Sequence, residues 1–380
     1  MNIANFQSKL DFIKDLYSNE EWTERECRDD ILAALEEAHT KIVNAFGESL
    51  CRLRYGKHKP SLEAVEKVVK EFPSALSYED KDGYIPISYI SEDNDDGSGL
   101  EYIPILAKEG VKHNVGGADA RGGLVCRTPN GLTLNNLQNL CTCSDNEMVN
   151  LSVLKELRKM GLFVKSDIQD YKMLHYSVYS SCGRGKKRTK FLADWDPDAL
   201  LNIDSLEIMN FERELDDLEI LLLAGFKHFP NTGGILFLQD TAGNTVFDLA
   251  CRKDYGYGLE GTMSILHKIL APRSDYPILH HVYIKAPEHV PLFAKKFHWA
   301  YHLKDHKGRT LHQAVLAAGP DVMNANSQLF ASLTDDQLQT KDPIITLYPF
   351  AAMAVGEHAE LEVVFDLLRR QPSVLERLHG

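Results

Sequence analysis

Three histidines recur at a spacing that could place them on one face of a helix. His298, His302 and His306 stand at positions i, i+4 and i+8, and residues four apart in a helix share a face. Because imidazole nitrogens are common zinc ligands, such a stripe could hold a metal ion. However, segment 305–308 has the composition of a tight turn, which predicts that the helix ends before His306. We therefore expect turn and helix-end histidines here, and no metal.

Other residues capable of chemistry lack the partners that a site would need. Cys141 and Cys143 form one close pair, but no second pair follows at zinc-finger spacing, so we expect two ordinary thiols. The basic segment 183–190, GRGKKRTK, resembles a phosphate-binding loop only faintly, because the required glycine-to-lysine spacing is missing. We interpret it as a solvated loop, with a nuclear-localisation signal or an acidic-partner contact as alternatives. The motifs of lipases, zinc proteases, kinases and dinucleotide-binding enzymes are not found, which predicts a non-enzymatic protein without a cofactor.

The composition excludes several further classes of protein. The chain has 380 residues and a net charge of -13, from 55 acidic and 42 basic residues, which argues against nucleic-acid binding. Its seven scattered cysteines are typical of a reduced compartment, and no apolar segment is long enough to span a bilayer. We therefore expect a protein of the cytoplasm or the nucleus, without membrane insertion.

A fifteen-residue phrase that occurs twice indicates how the chain is organised. Segment 62–76, LEAVEKVVKEFPSAL, aligns without a gap with segment 361–375, LEVVFDLLRRQPSVL. A weaker copy, LEILLLAGFKHFP, covers residues 218–230, and the ending Pro-x-Ala-Leu recurs at 197–200. Each copy predicts one amphipathic helix that stops near a proline. A unit reused along a chain is typical of a repeat solenoid.

Two shorter sequence patterns recur at the ends of these helices. An acidic residue followed by a glycine turn and a new helix occurs at 80–87 (DKDGYIPI), 240–250 (DTAGNTVFDLA) and 305–314 (DHKGRTLHQA). There the glycine provides a positive φ, and the threonine is placed to cap the next helix. In the second pattern, an apolar helix runs into a glycine, for which we predict a left-handed helix end at Gly110, Gly161 and Gly225.

The turn phrase resembles the ankyrin repeat, Asp-x-x-Gly-x-Thr-Pro-Leu-His-x-Ala followed by a helix that ends in glycine. The copy around Gly243 matches well, the copy around Gly83 keeps the proline at Pro86, and segment 342–352 resembles the same element in divergent ankyrin arrays of some microalgae. The copies at 131, 171 and 308 lack the proline, and the unit near Asp204 lacks the turn glycine. We count about seven or eight degenerate units.

The resemblance implies an all-α fold, an α-solenoid of degenerate ankyrin-like helix–turn–helix repeats over residues 58–380. Residues 1–57 carry no repeat signal, and the amphipathic pattern of 29–46 predicts an N-terminal helical cap. A HEAT-like or other α-solenoid is the alternative fold.

The resemblance also implies a function, which is recognition of another protein by a scaffold or adaptor that has no small-molecule substrate. In ankyrin arrays the residues beside the turn glycine contact partners, and His175 and His312 stand at a position that ties neighbouring units. The predicted partner-binding residues are Lys81, Asp82, Tyr84, Thr241, Asn244, His306, Lys307 and Arg309. Alternatives are a structural subunit of a larger assembly and a metal-dependent enzyme using His280, His281, His298 and His302.

Overall fold

The protein is mostly helical, as expected from the sequence. The computed structural model describes residues 25–54, 59–92, 98–127, 134–142, 147–179, 185–202, 215–252, 258–326 and 369. The structure is 69% helix, and the described residues form two isolated β-bridges but no β-strand. The all-α class is therefore confirmed.

Some predicted repeat elements lie outside the described residues. These are the second copy of the repeated phrase at 361–375, apart from a helical residue 369, the segment 342–352, the unit near Asp204 and the turn at Gly131.

The chain divides into two compact units, Met1–Ile203 and Asp204–Gly380. The predicted boundary between a cap and an array at residue 57 stays a prediction. The helices of the first unit are α1 (Arg25–Cys51), α2 (Leu62–Glu71), α3 (Pro86–Ser91), α4 (Ile103–Lys112), α5 (Asn136–Thr142), α6 (Glu147–Lys159), α7 (Asp167–Asp170), α8 (Met173–Tyr179) and α9 (Lys186–Trp195).

Helices of the first unit pack in two rows. One row consists of α3, α5 and α8, and each of these helices contacts the next. The second row consists of α2, α4, α6 and α9 in the same successive manner. The rows are joined because α3 packs against α4, α5 against α6 and α8 against α9. Helix α1 packs against α3 and against the 3-10 turn Pro73–Ser77.

The second unit is built from seven described helices. They are α10 (Leu215–His228), α11 (Val246–Cys251), α12 (Gly258–Leu270), α13 (Ile278–Lys285), α14 (Val290–Lys296), α15 (Leu311–Ala318) and α16 (Pro320–Ala325). Helix α12 packs against both α10 and α11, α13 packs against α14 and α15, and α15 packs against α16.

The repeated phrase folds as a helix that stops before its proline. Ser61 caps α2 by accepting a hydrogen bond from the Ala64 N–H at 3.2 Å, and Val65 and Val69 face the core. The helix ends at Glu71, and the next residue, Phe72, has φ −130° and ψ 66°, because a residue before proline is pushed out of the helical region. The rest of the phrase is the 3-10 turn Pro73–Ser77.

The related copies end in the same way. Asp196 and Phe229 also precede proline, with φ of −126° and −124°, and each is followed by a 3-10 turn, Pro197–Leu201 and Pro230–Thr232. The predicted helix end near proline is therefore confirmed at the three described copies.

The predicted left-handed helix ends are right at one glycine and wrong at two. Gly161 has φ +73° just after α6. Gly110 and Gly225 instead lie inside α4 and α10 without a positive φ. A Cβ at Gly110 would lie 2.7 Å from the carbonyl oxygen of Gly122, and one at Gly225 would lie 2.9 Å from the backbone nitrogen of Ile235. Glycine occupies these two positions because a second backbone segment passes close to the helix.

Candidate partner-binding surface

Three tight turns share one hydrogen-bond pattern. In each turn an aspartate Oδ1 accepts hydrogen bonds from the backbone N–H groups two and four positions later, at 2.8 to 2.9 Å. The glycine three positions later donates its N–H to the aspartate carbonyl, at 2.9 to 3.1 Å. These aspartates are Asp80, Asp240 and Asp305, and the glycines Gly83, Gly243 and Gly308 have φ of +83°, +83° and +73°. The predicted turn geometry is confirmed at all three.

The turns lead directly into helices, and two of them do so through the predicted threonine caps. Thr245 forms a capping box with Asp248 at the start of α11, and Thr310 forms one with Gln313 at the start of α15. The first turn lacks a side-chain cap but has Pro86 at the start of α3, where a missing N–H costs nothing.

Most of the predicted contact residues beside these glycines are exposed. Lys81, Asp82, Thr241, His306 and Lys307 all project into solvent. Their backbone is fixed by the aspartate, and their side chains contribute little to the core. They have the placement that a partner-binding residue needs.

Two further predicted residues, Asn244 and Arg309, are half-buried and brace their turns. The Asn244 amide donates to Oδ2 of Asp240 at 3.1 Å, and this side-chain bond lowers the pKa of Asp240. The Arg309 guanidinium lies 2.7 Å from Oδ2 of Asp305. Burial raises the pKa of Asp305, but the hydrogen bonds from Arg309 and Lys307, together with the Arg309 charge, outweigh burial and hold the pKa below its ordinary value.

The expectation that Tyr84 projects freely is wrong. Tyr84 is only 3% exposed, its hydroxyl donates to Oε1 of Glu92 at 2.7 Å, and its ring packs edge-on against Tyr89 with centroids 6.0 Å apart. Directly after the turn glycine, the chain turns back toward the core. The Tyr84 ring is therefore part of the core, and Tyr84 is no longer counted among the predicted contact residues.

Replacing Tyr84 by Phe tests this placement. Loss of the hydrogen bond to Glu92 should lower the free energy of unfolding of the first unit by about 1 kcal/mol. Lys81→Ala, an exposed change in the same turn, should cost less than about 0.5 kcal/mol. Urea unfolding followed by Trp195 fluorescence compares the two variants. Equal stabilities would place Tyr84 back at the surface.

The histidine stripe does not lie on one helix. His298 and His302 belong to the 3-10 helix His298–His302, and His306 lies in the following turn, as the sequence predicts. His280 and His281 are buried in α13. Within the part of the chain that the structure describes, no group of three His, Cys, Asp or Glu side chains could hold a metal ion.

His280 has a structural role that sequence reasoning missed. Its Nε2 lies 3.3 Å from the carbonyl oxygen of Arg309, so it joins α13 to the turn before α15. His280 stands where the ankyrin-like phrase has its histidine, in Pro-Ile-Leu-His, and this match was the available signal. The corresponding role expected of His175 and His312 stays a prediction.

The basic segment is only partly a surface feature. Residues 186–190 form the start of α9, so the interpretation as a solvated loop is wrong for them. Arg188 is fully buried, and its guanidinium donates to Oγ of Ser177 and to the Leu140 carbonyl, each at 3.3 Å. Residues 180–184 lie outside the described chain. Cys141 is buried, as expected, and Cys143 is likewise not described.

A cleft beside the turns of the second unit was not predicted from the sequence. Its volume is about 480 Å³, within the range of about 300 to 1,000 Å³ that ligand pockets occupy. Its buried part includes Phe226, Tyr276 and His281, and its exposed part includes Lys304 and His306. We call it the Tyr276 cleft.

No protein-family model, curated protein or solved structure matches this chain. Among the helices that the structure describes, none has an apolar stretch of the length needed to cross a membrane.

Proposed function

We propose that this chain is a non-enzymatic scaffold or adaptor that binds a partner protein through its turn tips. The observation that carries the proposal is the set of three turns with one hydrogen-bond pattern at Asp80, Asp240 and Asp305. Each turn presents exposed side chains on a backbone that is already fixed, so binding loses little conformational entropy. The proposed location is the cytoplasm or the nucleus.

The proposed architecture is a degenerate ankyrin-like α-solenoid. Supporting it are the two rows of successive helices in the first unit and the junction of helix, proline and 3-10 turn that recurs at Pro73, Pro197 and Pro230. A stack of this kind builds its binding surface from repeated turns, because each unit contributes the same element. On this surface, the residues proposed to contact the partner are Lys81, Asp82, Thr241, His306 and Lys307.

Site-directed photocrosslinking tests the proposal. A photoreactive amino acid placed at Lys307 should capture a partner from the native cell extract, whereas the same group at Lys296, exposed on α14, should not. Capture at both positions alike, or at neither, would contradict recognition through the turn tips.

Charge reversal measures the contribution of one tip. With the captured partner in hand, Lys307→Glu should weaken binding about three- to tenfold, because the exposed ammonium is expected to face the partner. Its unfolding free energy should change by less than about 0.5 kcal/mol. Lys296→Glu is the matched control, with the same charge change away from the turns. Equal weakening by both variants would show that the effect comes from the change in net charge and not from the turn tip.

A further inference from the structure

The buried wall of the Tyr276 cleft is formed by aromatic rings. The Tyr276 hydroxyl donates to the Pro230 carbonyl at 2.9 Å, so this hydroxyl is already occupied. The Tyr276 ring packs against Phe226 and His281, with centroids 5.2 and 5.9 Å away. Burial lowers the pKa of His281 to about 4, so the imidazole is uncharged at neutral pH. The wall is therefore suited to an apolar side chain.

The outer part of the cleft carries positive charges, although the chain as a whole is negatively charged. The side chains of Arg273 and Lys304 line it, and neither side chain forms an ion pair or hydrogen bond with another described residue. Of the two lining carboxylates, Asp305 is already paired with Arg309 at 2.7 Å, which leaves Asp275 as the opposing charge. Two cations against one unpaired carboxylate give a locally positive rim in a chain whose net charge is -13.

We propose that the Tyr276 cleft receives a segment of the partner protein in which one large apolar side chain is flanked by carboxylates. The apolar side chain would cover the aromatic wall, where water is displaced at little polar cost. The carboxylates would meet Arg273 and Lys304, and an arginine fork can hold a carboxylate with two hydrogen bonds. This inference rests on the proposed function and gives the chemistry of the partner that the turns recognise.

Three capped pentapeptides test the apolar side chain and the flanking carboxylates separately. They are acetylated, amidated Gly-Glu-Trp-Glu-Gly, Gly-Lys-Trp-Lys-Gly and Gly-Glu-Ala-Glu-Gly, each bearing a fluorophore for anisotropy titration against the full chain at low salt. The first should bind at least about tenfold more tightly than either of the others. If the lysine peptide or the alanine peptide binds equally well, or if none binds, the proposed chemistry is overturned.

Charge variants then localise the binding. Lys304→Glu should weaken binding of the Gly-Glu-Trp-Glu-Gly peptide at least about tenfold, whereas Lys296→Glu should change it less than about twofold. Asp275→Asn should strengthen binding about two- to fivefold, because it removes the opposing carboxylate. All three residues are exposed, so none of the variants should disturb the fold.

The outcomes distinguish the cleft from the wider function. If the peptide binds but Lys304→Glu and Lys296→Glu weaken it equally, the site lies elsewhere and the cleft assignment falls. If the cleft variants leave partner capture at Lys307 unchanged, turn-tip recognition stands and the cleft is not part of it. If capture at Lys307 fails while the peptide data hold, the proposed function falls and an acidic-peptide site remains.

Discussion

Replacing Gly122 by Ala should lower the free energy of unfolding of the first unit by about 4 kcal/mol. Gly122 has φ +68°, a conformation that costs an L residue about 1 to 2 kcal/mol. A Cβ there would also lie 2.1 Å from the carbonyl oxygen of Ala107 and 2.8 Å from the nitrogen of Val111. Both atoms belong to the backbone of α4, so relief requires moving the helix, and overpacking of this kind adds about 1 to 3 kcal/mol.

Gly161→Ala is the matched control. Gly161 has φ +73°, but a Cβ there would meet no described atom within 4 Å. It should therefore lose only the backbone contribution, about 1 to 2 kcal/mol. Urea unfolding in a background where Trp22 and Trp299 are Phe leaves Trp195 to report on the first unit. Equal losses in the two variants would show that the approach to α4 contributes nothing.

The turns could be predicted because their cause is local. An aspartate that accepts from the N–H groups two and four residues later, with glycine between them, is a relationship within five residues, and the sequence shows all of it. The caps at Thr245 and Thr310 and the helix ends before Pro73, Pro197 and Pro230 follow for the same reason.

The features that sequence reasoning missed depend on contacts between distant segments. The reason for glycine at positions 110 and 225 becomes clear only when the backbones of Gly122 and Ile235 are seen to pass beside them. Arg188 is fully buried because Ser177 and Leu140 happen to offer acceptors. The Tyr276 cleft likewise combines residues between 226 and 306. No periodic pattern in the sequence indicates that these residues come together.

Tyr84 shows the limit of carrying a motif over residue by residue. Lys81 and Lys307 precede the turn glycine and are exposed. The position directly after the glycine is half-buried at Asn244 and Arg309 and buried at Tyr84. A large aromatic ring gains free energy from burial, so Tyr84 is buried completely, whereas the amide of Asn244 and the guanidinium of Arg309 stay partly in solvent at the same position. The backbone pattern was predictable, and the direction of this side chain was not.

The second unit should lose about 3 kcal/mol of stability between pH 7 and pH 4 because of His281. Burial lowers the pKa of His281 from 6.5 to about 4, and nearby Lys285, His280 and His306 act in the same direction. The folded pKa lies below the unfolded one, so the stabilisation is complete above pH 6.5 and is lost as pH falls through about 4. Each pH unit in that window corresponds to about 1.4 kcal/mol.

His281→Gln should flatten this dependence, because a neutral side chain takes up no proton in either state. The measurement is urea unfolding at several pH values, followed by Trp299 in a background where Trp22 and Trp195 are Phe. The slope of stability against pH is the readout, so an offset caused by repacking does not obscure the result. Burial also lowers the pKa of His280, which should leave a smaller residual slope of the same sign. His298→Gln, which removes an exposed imidazole, is the control and should keep the full slope. A His281→Gln variant that retains the wild-type slope would mean that His281 does not remain neutral in the folded unit, and the uncharged wall assigned to the Tyr276 cleft would be wrong with it.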